Sequence, residues 1–476
     1  MNELNIKRII QVILPVSLVI ALAAMLAFLQ VNRLRADEFL SYLHSNPAQH
    51  KNLGEVIRNI HQGADNSYLH AGLLFVLFKT LGANIITLRA LSFLFFGVGM
   101  YCVYLLIKQH QKSKLQNMLT ISLIGLSNIA FMLATDGRYY AMLFCFSACM
   151  LYLLQHHPKK YYLIIPIIIG SYLTSAFTLI TGLWITAGLL FSNKNLKTHL
   201  PWLMVFLGCT FIYFGWLRID SFQQHFTQWQ FSPSTSDGVT WKEFLTYPFR
   251  FIAMGGFFKS DLLNCIITIM ALVPLVYFNN FKQKNTNLIH VLSFLLLAGM
   301  ALQLLLHVIL QWPLWPYRYY APLFFVWVMS LHQLIQLTPN KLNYSLMLAL
   351  VVLMGSRSVK EFKKITERLE AQNTEWILKE GDARLVFIET QHKYLTLGTL
   401  GNLYIRYPAL RSALYLGLDS NSIKRNEYFK LIQQQGNFLQ TLYPNEIKTN
   451  DVFIVGDSNQ YQFVRHKSER VFVIKP

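Results

Sequence analysis

IIQVILPVSLVIALAAMLAFL, residues 9–29, decides what kind of protein this is. The run holds no charged residue and matches the roughly 20 residues that carry a helix across a hydrocarbon layer about 30 Å thick. Lys7 and Arg8 stand just before it, and basic residues mark the cytoplasmic end of a span. A cleaved secretion signal is the competing interpretation, because Ala21-Leu22-Ala23 resembles a processing site. That triplet lies inside the apolar run rather than after it, which favours a retained anchor.

The rest of the chain agrees. Of 476 residues, 54% are hydrophobic and 14% charged, against roughly 25% charged in soluble proteins. A disordered chain and an ordinary soluble globule are both excluded. The net charge of +19 would suggest nucleic acid on a soluble protein. On a polytopic one it belongs to the cytoplasmic loops, and no nucleic-acid partner is expected. Cys102, Cys145, Cys149, Cys209 and Cys265 all fall in apolar runs, so they read as small hydrophobes rather than a disulfide or zinc framework.

Further spans are expected at about 85–107, 117–134, 139–154, 198–217, 262–278, 288–310, 319–337 and 343–355. The run Tyr161–Phe191 is too long for one crossing and carries Gly170, Ser171 and Ser175 near its middle, so it reads as two short helices. The fold class expected is a polytopic α-helical membrane protein of about 11 transmembrane helices, with a small C-terminal extracytoplasmic α/β domain. Loop charge supports the order of the spans. Lys108, Lys112 and Lys114, then Lys159 and Lys160, Lys194 and Lys197, Lys282 and Lys284, and Lys341 fall in the expected inner loops, as the positive-inside rule requires.

This places the N-terminus in the cytoplasm of a multi-pass protein of the inner (plasma) membrane. The expected organisation is a membrane domain over 1–355, with outer loops 32–84 and 218–261, and a periplasmic or extracytoplasmic domain over 356–476. In the first loop the amphipathic stretch Glu55–Ile60 and the apolar stretch Ala71–Leu81 suggest helices lying along the membrane surface. In the tail, Arg384–Glu389 and Asp451–Gly456 read as short buried strands and Ser422–Gln435 as a helix.

Ionisable groups near the membrane plane cost a few kcal/mol and ask for a reason. Several collect on the outer side. Asp37-Glu38 follows the first span, Arg89 lies near the outer end of the second, and Asp136-Gly137-Arg138-Tyr139-Tyr140 forms the outer turn between the third and fourth. Pro316-Tyr317-Arg318-Tyr319-Tyr320 forms a later outer turn. Each arginine could pair locally, Arg138 with Asp136 or Arg318 with neighbouring tyrosines, and many tyrosines suit the interfacial belt. Taken together, the groups suit transfer from a phosphate leaving group. Arginine matches phosphate oxygens bidentately, and a carboxylate can take the proton of an attacking hydroxyl or amine.

These motifs, in this order, resemble the membrane glycosyltransferases of the GT-C superfamily. The likeness is to the family 39-like branch, which includes protein O-mannosyltransferases and bacterial lipid A aminoarabinose transferases. It runs from Asp37-Glu38 through Leu81-Gly82 and Leu88-Arg89-Ala90-Leu91-Ser92 to Asp136–Ala141 and Tyr317–Pro322, over roughly residues 5–340. One departure stands out: where many relatives carry His-Pro-Pro, this chain has Asn66-Ser67-Tyr68.

The resemblance implies a polyprenyl-phosphate-linked sugar donor, a lipid or protein acceptor, and an inverting displacement at the extracytoplasmic face. It implies Asp37 as general base, with Glu38 orienting it or the acceptor. Arg138 and Arg318 would contact the donor phosphate with Arg89 in support, and Asp136, Tyr139, Tyr140, Tyr317 and Tyr319 would line the substrate. No cofactor is expected. A divalent cation near the acidic pair is known in the superfamily, but no ligand cluster accompanies the pair here. His44, His61 and His70 read as surface histidines. A surface-polysaccharide polymerase or ligase, or a lipid-linked sugar transporter, is the alternative. A transporter should carry charges midway through several spans, and these spans are almost free of charge.

Overall fold

The computed structural model describes residues 3–30, 36–62, 67–110, 114–192 and 196–213, single positions between 325 and 363, and five short strands beyond 384. The opening apolar run lies in α1 (Glu3–Leu29). Ile10, Leu14, Met25 and Phe28 are buried along one side of it, while Val12, Val16, Val19 and Ile20 are exposed. An exposed face made of aliphatic side chains is what a lipid-facing helix presents.

The stretch expected as the first outer loop holds α2 (Ala36–Ser45), α3 (Leu53–Gln62) and α4 (Tyr68–Leu81). The long α5 (Ile85–His110) follows. Then come α6 (Lys114–Gly125), α7 (Asn128–Thr135), α8 (Tyr140–His156), α9 (Tyr161–Thr174), α10 (Ala176–Ser192) and α11 (Leu196–Ile212). Among the described residues two stretches, Ile10–Leu29 and Ile85–Lys108, are long and apolar enough to cross a membrane, with a third if the bent pair α6–α7 is one span. These apolar helices support a membrane location. The expected spans at 262–278, 288–310, 319–337 and 343–355, the loop 218–261 and the helix 422–435 fall mostly or wholly outside the described residues.

The span expected at 117–134 is not one helix. It breaks with a bend of 66°. Gly125 ends α6, and the Ser127 hydroxyl then works in both directions, donating to the Ile124 carbonyl at 2.8 Å and accepting from the Ala130 N–H at 3.0 Å. A serine side chain that satisfies the first orphan N–H of a new helix competes with continuation of the old one. The run 161–191 divides where Ser175 adopts an extended backbone between α9 and α10, as its small residues suggest.

The chain divides into two compact units. The first holds residues 1–29, 66–70 and 89–362. Within it α1 packs on α6 and α7, and α10 packs on α8, α9 and α11. Small residues set these approaches. A side-chain carbon at Gly99 of α5 would come 2.6 Å from the Phe144 ring of α8, and one at Gly182 of α10 would collide with Phe206 of α11. Phe144 also meets Phe325 edge-on at 5.7 Å.

The second unit holds residues 30–65, 71–88 and 363–476. Here α3 opens with a reciprocal cap. The Glu55 N–H donates to Asn52 Oδ1 at 3.0 Å, and Glu55 Oε2 accepts from the Lys51 N–H at 2.7 Å, the two-way arrangement of a capping box. Helix α4 stops at Gly82, whose φ of 88° only glycine adopts without strain. Two residues on, Asn84 Oδ1 accepts from the Thr87 N–H at 2.8 Å and starts α5. The Leu81-Gly82 part of the family-like motif is therefore a helix stop.

The tail contributes β1 (Leu385–Ile388), β2 (Leu414–Tyr415), β3 (Val452–Val455), β4 (Val464–Arg465) and β5 (Val471–Ile474). They form one sheet in the order β2-β3-β1-β5-β4. β1 and β2 run parallel to β3, and β5 runs antiparallel to both β1 and β4. Strands β1 and β3 occupy the two stretches whose apolar runs read as strands.

Candidate functional site

The 136–140 turn of the first unit is built by the ends of two helices. Asp136 caps the C-terminus of α7, its N–H donating to the Met132 carbonyl at 2.8 Å. A carboxylate has the wrong sign for a helix C-terminus, so its place there is a cost that local stability does not explain. Arg138 follows two residues later and is 6% exposed. Its carbonyl accepts from the Ser92 hydroxyl of α5 at 3.0 Å, which pins the turn to the neighbouring helix. Its guanidinium carbon lies 5.3 Å from the centre of the Tyr139 ring, a cation–π distance.

Tyr139 also packs against Tyr140 at 4.8 Å and His70 at 6.4 Å. It precedes the first residue of α8 and makes no side-chain cap bond. The turn therefore combines a buried guanidinium with the positive end of a 17-residue helix. Both features favour an anion.

Arg89 is fully buried and has a duty of its own. Its Nη1 donates to the Phe28 carbonyl at 3.0 Å, and the guanidinium lies 4.8 Å from the centre of the Phe28 ring. Phe28 is next to last in α1, so the bond satisfies one of the helix's orphan carbonyls and sets a cation at its negative end. The Phe28 ring meets Phe131 of α7 edge-on at 5.3 Å. Arg89 thus holds the end of the first span.

In the second unit α2 carries Asp37 and Glu38 in its first turn. Glu38 is 0% exposed. The helix is anchored by Tyr42, whose hydroxyl donates to the Ala83 carbonyl at 2.9 Å and whose ring packs on Phe78 at 5.2 Å. The turn that ends α4 therefore also fixes α2. Beyond α2, Asn46 Oδ1 accepts from the Ala48 N–H at 3.0 Å and closes an Asx turn.

His50 is buried in the same segment and meets Asn59 at 3.0 Å. Burial lowers its pKa, against the raising effects of the Leu43 carbonyl and Glu55.

The sequence-expected residues thus divide. Asp136, Arg138, Tyr139 and Tyr140 come together in one turn, while Arg89 binds the end of α1. Arg318, Tyr317 and Tyr319 lie outside the described residues, as does the side chain of Asp37. Of the three histidines expected at the surface, His61 is exposed but His44 and His70 are buried. That expectation fails for two of them because helix packing encloses them. His70, read from the sequence as a surface histidine, instead neighbours the turn: it reaches Tyr139 from a helix that begins at Tyr68. Among the described residues no three of His, Cys, Asp and Glu assemble as metal ligands.

No family model matches the chain, and no curated protein matches it. Among solved structures it is similar to ArnT from Cupriavidus metallidurans in the apo state. The identity is 14%, covering 82% of this chain and 84% of that one, with a TM-score of 0.30.

Proposed function

We propose that this protein is a membrane glycosyltransferase that moves a sugar from a polyprenyl-phosphate donor to an acceptor hydroxyl or amine on the extracytoplasmic side. The observation that carries the reading is the buried Arg138, held at the uncapped head of α8 by Ser92 and Tyr139. A permanently charged fork in a low-dielectric turn is built to meet phosphate oxygens.

In the proposed step the Asp37 carboxylate takes the acceptor proton. The acceptor atom bonds to the anomeric carbon from the face opposite the phosphate. The carbon–oxygen bond to phosphate breaks, its electron pair leaves with the phosphate, and the anomeric configuration inverts. Arg138 and Arg318 stabilise the charge that develops there, and Glu38 orients the acceptor or the base. This step asks nothing of a metal, so EDTA should leave transfer unchanged.

The test is Asp37→Asn, an isosteric change that removes the base. Membranes carrying it should lose the transferred glycoform by mass spectrometry of envelope glycolipids and glycoproteins, with protein level and membrane insertion preserved. The expected loss is about 100-fold or more, the usual weight of a general base. Retained transfer in that variant rejects the assignment. Because the reading makes Asp37 and Arg138 partners in one step, the Asp37→Asn/Arg138→Ala double variant should be scarcely worse than the poorer single variant.

A further inference from the structure

The hydroxyls of this protein's helices follow a habit, and α2 departs from it. Thr120, Thr135, Ser147, Ser171, Thr174, Thr186 and Thr210 each donate back to the carbonyl four residues earlier, at 2.6–3.1 Å. That bond satisfies a buried hydroxyl at little cost. Ser41 and Ser45 of α2 are 3% and 0% exposed, yet neither hydroxyl finds a partner among the described residues. Ser122 in α6 shares the trait among the described residues, with Asn117 Oδ1 five residues before it. In α2 the two serines sit one turn apart, and a third group joins them. Asn46 is 2% exposed; its Oδ1 is engaged by Ala48, which leaves Nδ2 as a buried donor, and Nδ2 too has no partner among the described residues.

A buried polar group without a partner is destabilising. Three within six residues, each with a cheap alternative or half engaged already, mark a row kept for something that is not protein. Ser41 and Ser45 are four residues apart, the spacing of neighbours on one helix face, and Glu38 lies on that face three residues before Ser41. Asp37 is four residues before Ser41 in the same helix. At a rise of about 1.5 Å per residue, the row from Ser41 to Asn46 extends over roughly 7 Å. A single alcohol could bridge the two serines but has too few hydrogen-bonding sites to satisfy both directions of all three groups. A ring with hydroxyls along two edges could satisfy them all, giving and accepting hydrogen bonds at the serines and accepting from the amide. None of the three groups carries a charge, and the carboxylates of the same helix disfavour an anion.

We infer that Ser41, Ser45 and Asn46 form the acceptor subsite, and that the acceptor presents a neutral, multiply hydroxylated sugar ring. This rests on the reading of Asp37 as the base and adds the class of molecule whose hydroxyl it deprotonates.

The test uses the full chain in lipid nanodiscs, with methyl β-D-glucopyranoside as a sugar-ring probe and methyl phosphate as an anionic probe. The glucoside should raise the unfolding temperature and methyl phosphate should not. In the Ser41→Ala/Ser45→Ala variant the unfolding temperature without probe should equal or exceed the native value, because unsatisfied hydroxyls have been removed. The response to the glucoside should vanish, as expected from about tenfold weaker binding for each hydrogen bond lost. A lower unfolding temperature without probe, an unchanged glucoside response in the variant, or an equal response of the native chain to methyl phosphate overturns the assignment. Asp37→Asn separates this inference from the reading beneath it. Retained transfer in Asp37→Asn sinks the base, whereas the glucoside response of that variant reports on the serine row alone.

Discussion

Arg89 and Arg138 are the same residue type, both buried in the first unit near helix ends, and their surroundings differ. Arg89 meets a backbone carbonyl and a phenylalanine face at the end of α1. Arg138 sits in a turn whose backbone Ser92 grips, with its guanidinium over a tyrosine and beside the positive end of α8. A cation at a helix C-terminus relieves a charge, whereas a cation at a helix N-terminus adds to one. The first arrangement stabilises the fold; the second is the one that the proposed function assigns to a donor phosphate.

The contrast is broken most sharply by Arg138→Ala. It should lower transfer by about 100-fold or more, the weight of a charge-stabilising contact in a transition state, while the unfolding temperature stays near native. A variant that unfolds would instead place Arg138 in the scaffold. Arg89→Ala should do the reverse. It leaves the Phe28 carbonyl without its donor and removes a buried ring contact, so it should cost about 2 kcal/mol of stability, seen in thermal unfolding in nanodiscs. Activity per folded molecule should stay within a few-fold of native, and Arg89→Lys should recover part of the stability.

Ser127→Ala sharpens the contrast from the other helix that meets the 136–140 turn. Loss of the α7 cap should cost about 1 kcal/mol and lower transfer modestly by loosening the position of Asp136. Scanning Ser127→Ala alongside Arg138→Ala separates misplacement from loss of charge.

The smallest effect belongs to pH at α2–α3. Because burial holds the His50 pKa below its ordinary value, the unfolded segment binds a proton more readily than the folded one. Stability is therefore whole above about pH 6.5, the unperturbed histidine value, and declines as pH falls through it and on toward the folded pKa. Amide protection factors of α3, with the intrinsic pH dependence of exchange divided out, should be lower at pH 5.5 than at pH 7.5, and His50→Gln should flatten that difference.

What could be read from the sequence was local. Ser175 divides α9 from α10 where small residues interrupt a long apolar run. The amphipathic Glu55–Ile60 stretch is helical, and LVFI and VFIV are strands because continuous apolar runs of that length suit a sheet. What could not be read depends on residues far apart in the chain. Arg89 finds Phe28 across 61 positions, and Ser92 finds the Arg138 carbonyl across 46; no periodicity announces either. The burial of His44 and His70 belongs to the same class. The break between α6 and α7 is a nearer miss. Gly125 and Ser127 were visible, but hydropathy outweighs one glycine and one serine in any window long enough to identify a span.

The bend at Ser127 also sets how deep the arginine turn lies. Helix α6 is about 18 Å long and α7 about 12 Å, at about 1.5 Å per residue. Laid end to end they would match a hydrocarbon layer of about 30 Å, but with a 66° bend between them they climb several ångströms less. On the proposed topology, with α6 starting at the inner surface, the turn they deliver lies beneath the lipid headgroups instead of level with them. Mobile ions screen charges poorly at that depth, so a donor's grip on Arg138 should change little between dilute buffer and concentrated salt.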